Sequence, residues 1–499
     1  MSLRRLAKNV AFRTGTEAFK KLVNVAFVIF VARELGADGL GRYSFLLVLT
    51  SILGLVADCG FSTLMLREVA TRRDEASRLL GAAIILKAFL SGVVFGLLWI
   101  VIGCFHSPIG TDGAATDYTE AYLFAAYSIL LSFMEMFNAF FVVDQRLDLD
   151  AVTNVVQRGG AVLLGVLLVA YGWGVLGIGY AFAVATAVAA VFALILVIRR
   201  FGRPTFVSDF PLFKSMLKET VPLALTLFFS SVYFRIDQVM LGWMRTETEL
   251  GWYSAAYRVF EVSALAPSIL MLIALPIFSR LRQEAEDIMI RAGQQILTLL
   301  LVMGIVVSVV VTLAAPDIIV LFGKDFGSES SDALMLLMWT AIPIFCNFVL
   351  TTLLIAIGRQ VALMYCFAAG AVANIALNLV MIPRWSHLGA AGATLITEVV
   401  LFALVARILG RSLPGWRLKA ILLLPISTAV VAAVPPYLVG LSGDRLVFAA
   451  LWTVLYLAGV VLFKTIKWSE IALLRRVGAE SLHSDVGDSG DGRQNDLIE

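Results

Sequence analysis

Apolar residues run on for about twenty positions at a time, and charged or Gly-rich turns then interrupt them. Roughly 20 such residues in a helix cover the 30 Å hydrocarbon core of a bilayer. Fourteen segments reach that length, near 13–35, 43–66, 79–104, 118–143, 152–171, 176–198, 218–243, 251–278, 292–315, 333–357, 361–381, 389–409, 418–438 and 446–464. Turns such as REVATRRDEASR (67–78) and RRFGRP (199–204) separate them. Backbone polar groups cannot be left bare in lipid, so segments this long read as helices. A barrel would show alternating segments of about ten residues. The pattern therefore predicts an all-α integral membrane protein with 14 transmembrane helices.

Composition agrees with that reading. The 499 residues are 60% hydrophobic and 15% charged, against about 25% charged in soluble domains. Cys59, Cys104, Cys346 and Cys366 form no CxxC pair, and His106, His387 and His483 are scattered, so no metal site and no cofactor are expected. GADGLGRYS (36–44) has glycines at loosely nucleotide-like spacing but sits in a short turn without a strand–helix unit. With no GxxxxGK[ST], HExxH or GxSxG present, the expectation is not an enzyme. No basic tract is joined to a nucleic-acid-reading motif.

The net charge of +3 is unevenly spread. Lys and Arg gather at the start (Arg4, Arg5, Lys8, Arg13) and in alternate connections, among them Arg67 to Arg78, Arg146 and Arg158, and Arg199 to Lys218. This asymmetry predicts a multi-pass protein of the cytoplasmic membrane with both termini in the cytoplasm. The apolar start lacks a cleavage pattern and is read as a span, not a signal peptide.

The chain also echoes itself. LGRYS (40–44) returns as LGWYS (250–254), offset by 210; DQR (144–146) pairs with GRQ (358–360), and WGVLGIG (173–179) with SHLGAAG (386–392), at offsets of 214 and 213. Six spans fit one period, and an even number preserves orientation. The halves would then be related by a pseudo-twofold along the membrane normal. The expected division is 1–200, a six-helix bundle; 201–217, a cytoplasmic linker; 218–410, a second six-helix bundle; 411–470, helices 13 and 14; and 471–499, a disordered cytoplasmic tail.

Charged side chains inside spans cost roughly 2.5 to 3.5 kcal/mol each on the insertion scale, so their placement is informative. Asp58, Lys87 and Glu135 fall at one depth, about 12 Å from the cytoplasmic ends of their spans. They read as a structural cluster or as an ion-coupling site. Arg235 and Arg258 share a second level, about 11 to 12 Å below the opposite ends of adjacent spans. Glu261 follows Arg258 by three residues and shares its face, whereas Asp237 does not face Arg235. Two readings stand for these arginines: contact with an anionic substrate, or internal salt bridges with Asp237 and Glu261. Gln238 and Tyr257 extend the polar patch. Arg13, Glu17, Lys20 or Lys21, and Asn24 form a stripe on the first span, which predicts a wet, cation-lined cleft. Tyr233, Trp252, Tyr253 and Tyr257 are either sugar-stacking residues or interfacial anchors.

FKKLVNVAFVIFVARELGADGLGRYSF (19–45), DCGFSTLMLREVA (58–70) and RIDQVMLGWMRTETELGWYSAAYRVFEVSALAPSILMLIALPIFSR (235–280) resemble Wzx-type polysaccharide exporters. That family shares a superfamily with MATE drug exporters and the lipid II flippase, and the similarity covers roughly residues 8–470. The resemblance implies two six-helix bundles around a V-shaped cavity, with two further helices. It implies that a polyprenyl-pyrophosphate-linked oligosaccharide is flipped from the inner to the outer leaflet. Arg13, Lys20, Lys21, Arg235 and Arg258 suit the family's basic cavity residues. Membrane lipids and glycan polymerase or assembly proteins are the implied partners, with no nucleic acid. The alternatives are a cation-coupled exporter of small amphipathic molecules and a non-transporting scaffold of a glycan-assembly complex.

Overall fold

The computed structural model describes residues 3–104, 118–206, 209–416, 418–438, 444–463 and 465–466; the side chains of 3–20, 101–104, 222–223, 226, 419–420 and 435–438 lie outside this description. The proposed tail, 471–499, also lies outside it. The described chain is all helical: α1 (Leu3–Asp58), α2 (Phe61–Thr71), α3 (Ala76–Cys104), α4 (Thr119–Val143), α5 (Leu147–Ala170), α6 (Gly174–Phe201), α7 (Phe210–Met244) and α8 (Glu247–Ser263). There follow α9 (Leu265–Glu284), α10 (Glu286–Ile319), α11 (Gly327–Trp339), α12 (Ala341–Ala356), α13 (Gln360–Ser412), α14 (Leu418–Leu438) and α15 (Arg445–Leu462), with three short 3₁₀ turns between elements. Among the described residues, ten helical stretches are long and apolar enough to cross a membrane. The protein is an all-α, multi-pass membrane protein.

Two of those stretches, Lys21–Thr71 and Gln360–Ser412, have 51 and 53 residues. A straight helix of that length would measure roughly 75 to 80 Å, far beyond one bilayer core. Each is broken part-way along. Gly36 (φ 69°) interrupts α1 and Ser386 (φ 49°) interrupts α13. Glycine enters that region freely; serine does so at a cost.

A further break, absent from the sequence expectation, separates α1 from α2. Cys59 (φ 45°) and Gly60 (φ 74°) are both left-handed there. Asp58 holds the turn: its carboxylate accepts from the Gly60 N–H at 3.2 Å and from Ser62 Oγ at 2.9 Å. Lys87 Nζ of α3, fully buried, donates to the same carboxylate at 2.9 Å and to the Ser132 carbonyl of α4 at 3.0 Å. Glu135 is exposed but stays within electrostatic range of Lys87. Of the three charges expected at one depth, Asp58 and Lys87 pair directly, and Glu135 acts on Lys87 at longer range.

The echoing turns pack against each other. A β-carbon on Gly41 would overlap the Glu247 carbonyl, and one on Gly251 would overlap the Ala37 carbonyl. Thr248 Oγ1 donates to Asp38. These contacts pair positions 206, 210 and 214 residues apart, and the glycine contacts are reciprocal, so α1 and α8 approach backbone to backbone. Elsewhere α4 and α5 pack on α6, α7 on α13, and α10 on α11 and α12, while α14 and α15 lie against each other and α10. Large apolar side chains such as Phe89, Trp99 and Val461 point outward, the pattern of a lipid-facing surface.

The connection from α6 to α7 is tied to the start of α3. The Thr205 N–H donates to the Ser77 carbonyl at 3.0 Å, and Arg78 pairs with Asp209. Asp209 caps α7 through the Leu212 N–H, and that bond, with the Arg78 guanidinium, holds its carboxyl below the ordinary carboxylate range. Helix α7 begins at Phe210, so residues 210–217 of the expected linker are helical.

Candidate functional site

The candidate site is built around α1, against which α5, α7 and α8 each pack. On α8, the three-residue spacing brings Arg258 and Glu261 onto one face, and Arg258 Nη1 donates to Glu261 Oε2 at 2.7 Å. Arg235 of α7 reaches the other oxygen at 3.5 Å. One carboxylate therefore serves two guanidinium groups. Arg258 is nearly enclosed, its side chain 6% exposed, whereas Arg235 keeps 34% exposure. Lys21 of α1 is exposed and within electrostatic range of Glu261. The side chains of Arg13, Glu17 and Lys20 lie outside the described residues.

Asn24 accepts a hydrogen bond from Arg158 Nη2 of α5. This corrects the sequence reading, which counted Arg158 with a charged connection. The helix begins at Leu147, so Arg158 stands midway along α5. Its guanidinium lies over the Phe182 ring, 5.8 Å from the centroid. Phe182 in turn meets Tyr43 edge-on at 6.2 Å. The fully buried Tyr43 lies within electrostatic range of Arg258, Arg158, Glu261 and Arg235. The site thus gathers Lys21, Arg235 and Arg258 around Glu261, with Arg158 reaching the same region through Tyr43, an excess of positive charge suited to an anion.

Asp237 belongs elsewhere. Two residues along a helix turn the side chain by roughly 200°, so it points away from Arg235. It is 3% exposed and accepts from the Gln238 N–H at 2.8 Å, Thr394 Oγ1 at 3.2 Å and the Tyr253 hydroxyl. Gln238 is buried beside it. A second buried carboxylate, Glu398 on α13, accepts from Asn347 Nδ2 at 2.7 Å. Among the described residues no Lys, Arg or His pairs with either carboxylate. Glu398 lines a small cavity with Tyr233, Tyr257, Asn374, Thr394 and Thr397. Two carboxyl groups among neutral donors can hold a proton or a small cation. Sequence reasoning missed Glu398, although a lone carboxylate inside the 389–409 apolar run is the signal that had flagged Asp58. Asn374 and Asn378, four apart on α13 and bonded at 2.8 Å, carried a fainter one.

Of the four aromatics proposed for stacking, three hold protein groups. Tyr253 donates to Asp237, Tyr257 to the Phe234 carbonyl at 2.8 Å, and Trp252 Nε1 to the Asp325 carbonyl at 2.9 Å. Replacing Tyr253 by Phe removes a donor from a buried carboxylate. The expected loss is about 1.5 to 3 kcal/mol, read as a lower thermal midpoint in detergent; an unchanged midpoint means that the bond carries no net weight.

Residues 6–282 match the family model described as polysaccharide biosynthesis protein, more than half of the chain. The chain belongs to that family. An overlapping match to the MatE family model covers residues 222–380. No curated protein matches at a significant level. Among solved structures, similarity is found to one described as the lipid II flippase MurJ in an inward closed conformation, with a TM-score of 0.72, 14% identity, and coverage of 90% of this chain and 97% of that one. A multidrug resistance MATE family transporter in an inward-facing conformation gives 0.63 at 17% identity, covering 79% and 95%. A MOP superfamily transporter from Pyrococcus furiosus Vc1, whose reverse binding-pocket polarity is described as suggesting a different function, gives 0.55 at 15%, covering 82% and 94%. At these identities the likeness shows the fold alone: this member of the polysaccharide biosynthesis family has the multi-span fold of MATE-type transporters.

Proposed function

We propose that the chain flips a polyprenyl-diphosphate-linked oligosaccharide from the inner to the outer leaflet of the cytoplasmic membrane. The observation carrying this reading is that Arg235 and Arg258 share the single carboxylate of Glu261 while Lys21 and Arg158 stand nearby. A diphosphate head supplies the missing negative charge, and arginine offers it a bidentate fork. The family match and the likeness to a lipid II flippase fold support the same reading.

In this reading α1 and α13 each cross the membrane twice, giving fourteen spans with both termini cytoplasmic. Two six-helix halves, 1–200 and 218–410, flank the cavity, and the last two spans (within 411–470, α14 and α15) are added outside them against α10. The reciprocal Gly41–Glu247 and Gly251–Ala37 contacts support a pseudo-twofold, since a twofold makes each contact appear in both directions. Arg13 and Lys20 extend the cationic wall, with Glu17 and Asn24 as polar support. The Asp58–Lys87 pair is structural. No covalent step is required: the head is captured, the halves close around it, and rocking exposes the other leaflet. Glycan polymerase or assembly proteins would take the delivered product.

A second reading, export of small amphipathic molecules coupled to a cation, draws on the buried carboxylates Asp237 and Glu398, which have no ion-pair partner among the described residues. Charge reversal separates the two. Arg235→Glu and Arg258→Glu are each expected to lower delivery of lipid-linked glycan to the outer leaflet at least about tenfold, the scale of one lost charge-assisted contact. Unchanged delivery at a normal protein amount defeats the flippase assignment of this site.

A further inference from the structure

The cations of the site come from both halves, and Arg158 is the least committed of the three arginines. A guanidinium has five N–H donors. Arg158 gives one Nη2 bond to Asn24, and among the described residues no carboxylate lies within ion-pair distance of it. Arg258 and Arg235, by contrast, both reach Glu261. The Asn24 bond and the Phe182 ring hold the Arg158 plane without neutralising it. Close by, the Tyr43 hydroxyl is buried with no hydrogen-bond partner among the described residues, within electrostatic range of Arg158, Arg235 and Arg258. Among the described residues, a fixed cation without a carboxylate partner beside a buried hydroxyl without a hydrogen-bond partner is an arrangement prepared for a polar anionic guest.

We propose that Arg158 is the first half's diphosphate ligand. It holds one phosphoryl group while Arg235 and Arg258 hold the other, so that a bound diphosphate bridges α5 to α7 and α8. The inference rests on the flippase reading and adds to it a basis for selectivity. A monophosphate has oxygens enough for one set of arginines; a diphosphate can engage both. Arg158 therefore sets the preference for diphosphate over monophosphate carriers. It also gives the ligand a mechanical role, because like charges in opposite halves repel until an anion lies between them.

The test uses the full-length protein in nanodiscs, with undecaprenyl diphosphate and undecaprenyl monophosphate as probes. Arg158→Gln is expected to raise the Kd for the diphosphate about tenfold and that for the monophosphate less than about twofold. Arg158→Lys keeps the charge and loses the fork, so the monophosphate affinity holds while the diphosphate affinity falls about threefold. Equal losses for both probes would reduce Arg158 to a source of general positive potential and overturn the proposal. So would unchanged binding in Arg158→Gln alongside a clear loss in Arg258→Gln, which leaves the cationic-site reading intact. Unchanged binding in both glutamine variants removes the cationic-site reading itself. Should Arg158→Gln fail to fold, the lysine variant decides: wild-type selectivity there overturns the assignment.

Discussion

Replacing Lys87 with methionine should destabilise the protein by about 3 to 5 kcal/mol, the usual cost of removing one member of a buried ion pair. Lys87 is fully buried, bonded to Asp58 and the Ser132 carbonyl, and flanked by the rings of Phe61 and Phe133 at 6.0 and 5.6 Å. Methionine has nearly the same length and suits those rings. The damage therefore comes from Asp58, left charged in a low-dielectric setting while it still holds the left-handed Cys59–Gly60 turn. Asp58→Asn should cost a similar amount, because it strands the ammonium group. The double variant, Lys87→Met with Asp58→Asn, should recover more than half of either loss, since no unpaired charge remains. Denaturation midpoints in one detergent check all three. Additive losses in the double variant would show that the two residues act independently.

Valine at both Gly41 and Gly251 is the second large expected effect. Each added β-carbon meets a backbone carbonyl, which cannot rotate out of the way as a side-chain tip can. Overpacking of this kind costs about 1 to 3 kcal/mol per site. That corresponds to a roughly 5- to 150-fold fall in the population of the clasped arrangement per substitution. On the proposed orientation the clasp seals the outer side. The double variant should hold that side open and stall delivery of the lipid-linked glycan. Spin labels at positions 38 and 248, whose native side chains are hydrogen-bonded, should then report a longer distance. An unaltered distance with full transport would mean that the close approach is dispensable. Alanine at one site should give a milder version of both effects.

Much of this was readable in the sequence wherever helical periodicity alone decides contact. The three-residue step from Arg258 to Glu261 and the common depth of Asp58 and Lys87 follow from rise and twist, and both contacts form. The echo LGRYS/LGWYS marked turns that do meet. What escaped depends on partners distant in sequence. Arg158 looked like a boundary charge because nothing nearby reveals that Asn24 and Phe182 will receive it. Glu398 needed Asn347, 51 residues away, to become a held carboxylate. The breaks at Cys59 and Ser386 carry no glycine or proline at the residue itself, so composition gives no signal at those two positions.

The anchoring of Thr205 and Asp209 onto the start of α3 has a mechanical consequence. Helix α7 starts from a point pinned by Arg78, Ser77 and Asp209, and runs 35 residues to Met244, a lever arm of about 50 Å. A tilt of about ten degrees at that fulcrum sweeps the far end through roughly 9 Å, with hardly any travel at the pinned end. Arg235, close to the moving tip, would cover most of that arc, whereas loosening the Arg78–Asp209 tether would turn a pivoting beam into a drifting one.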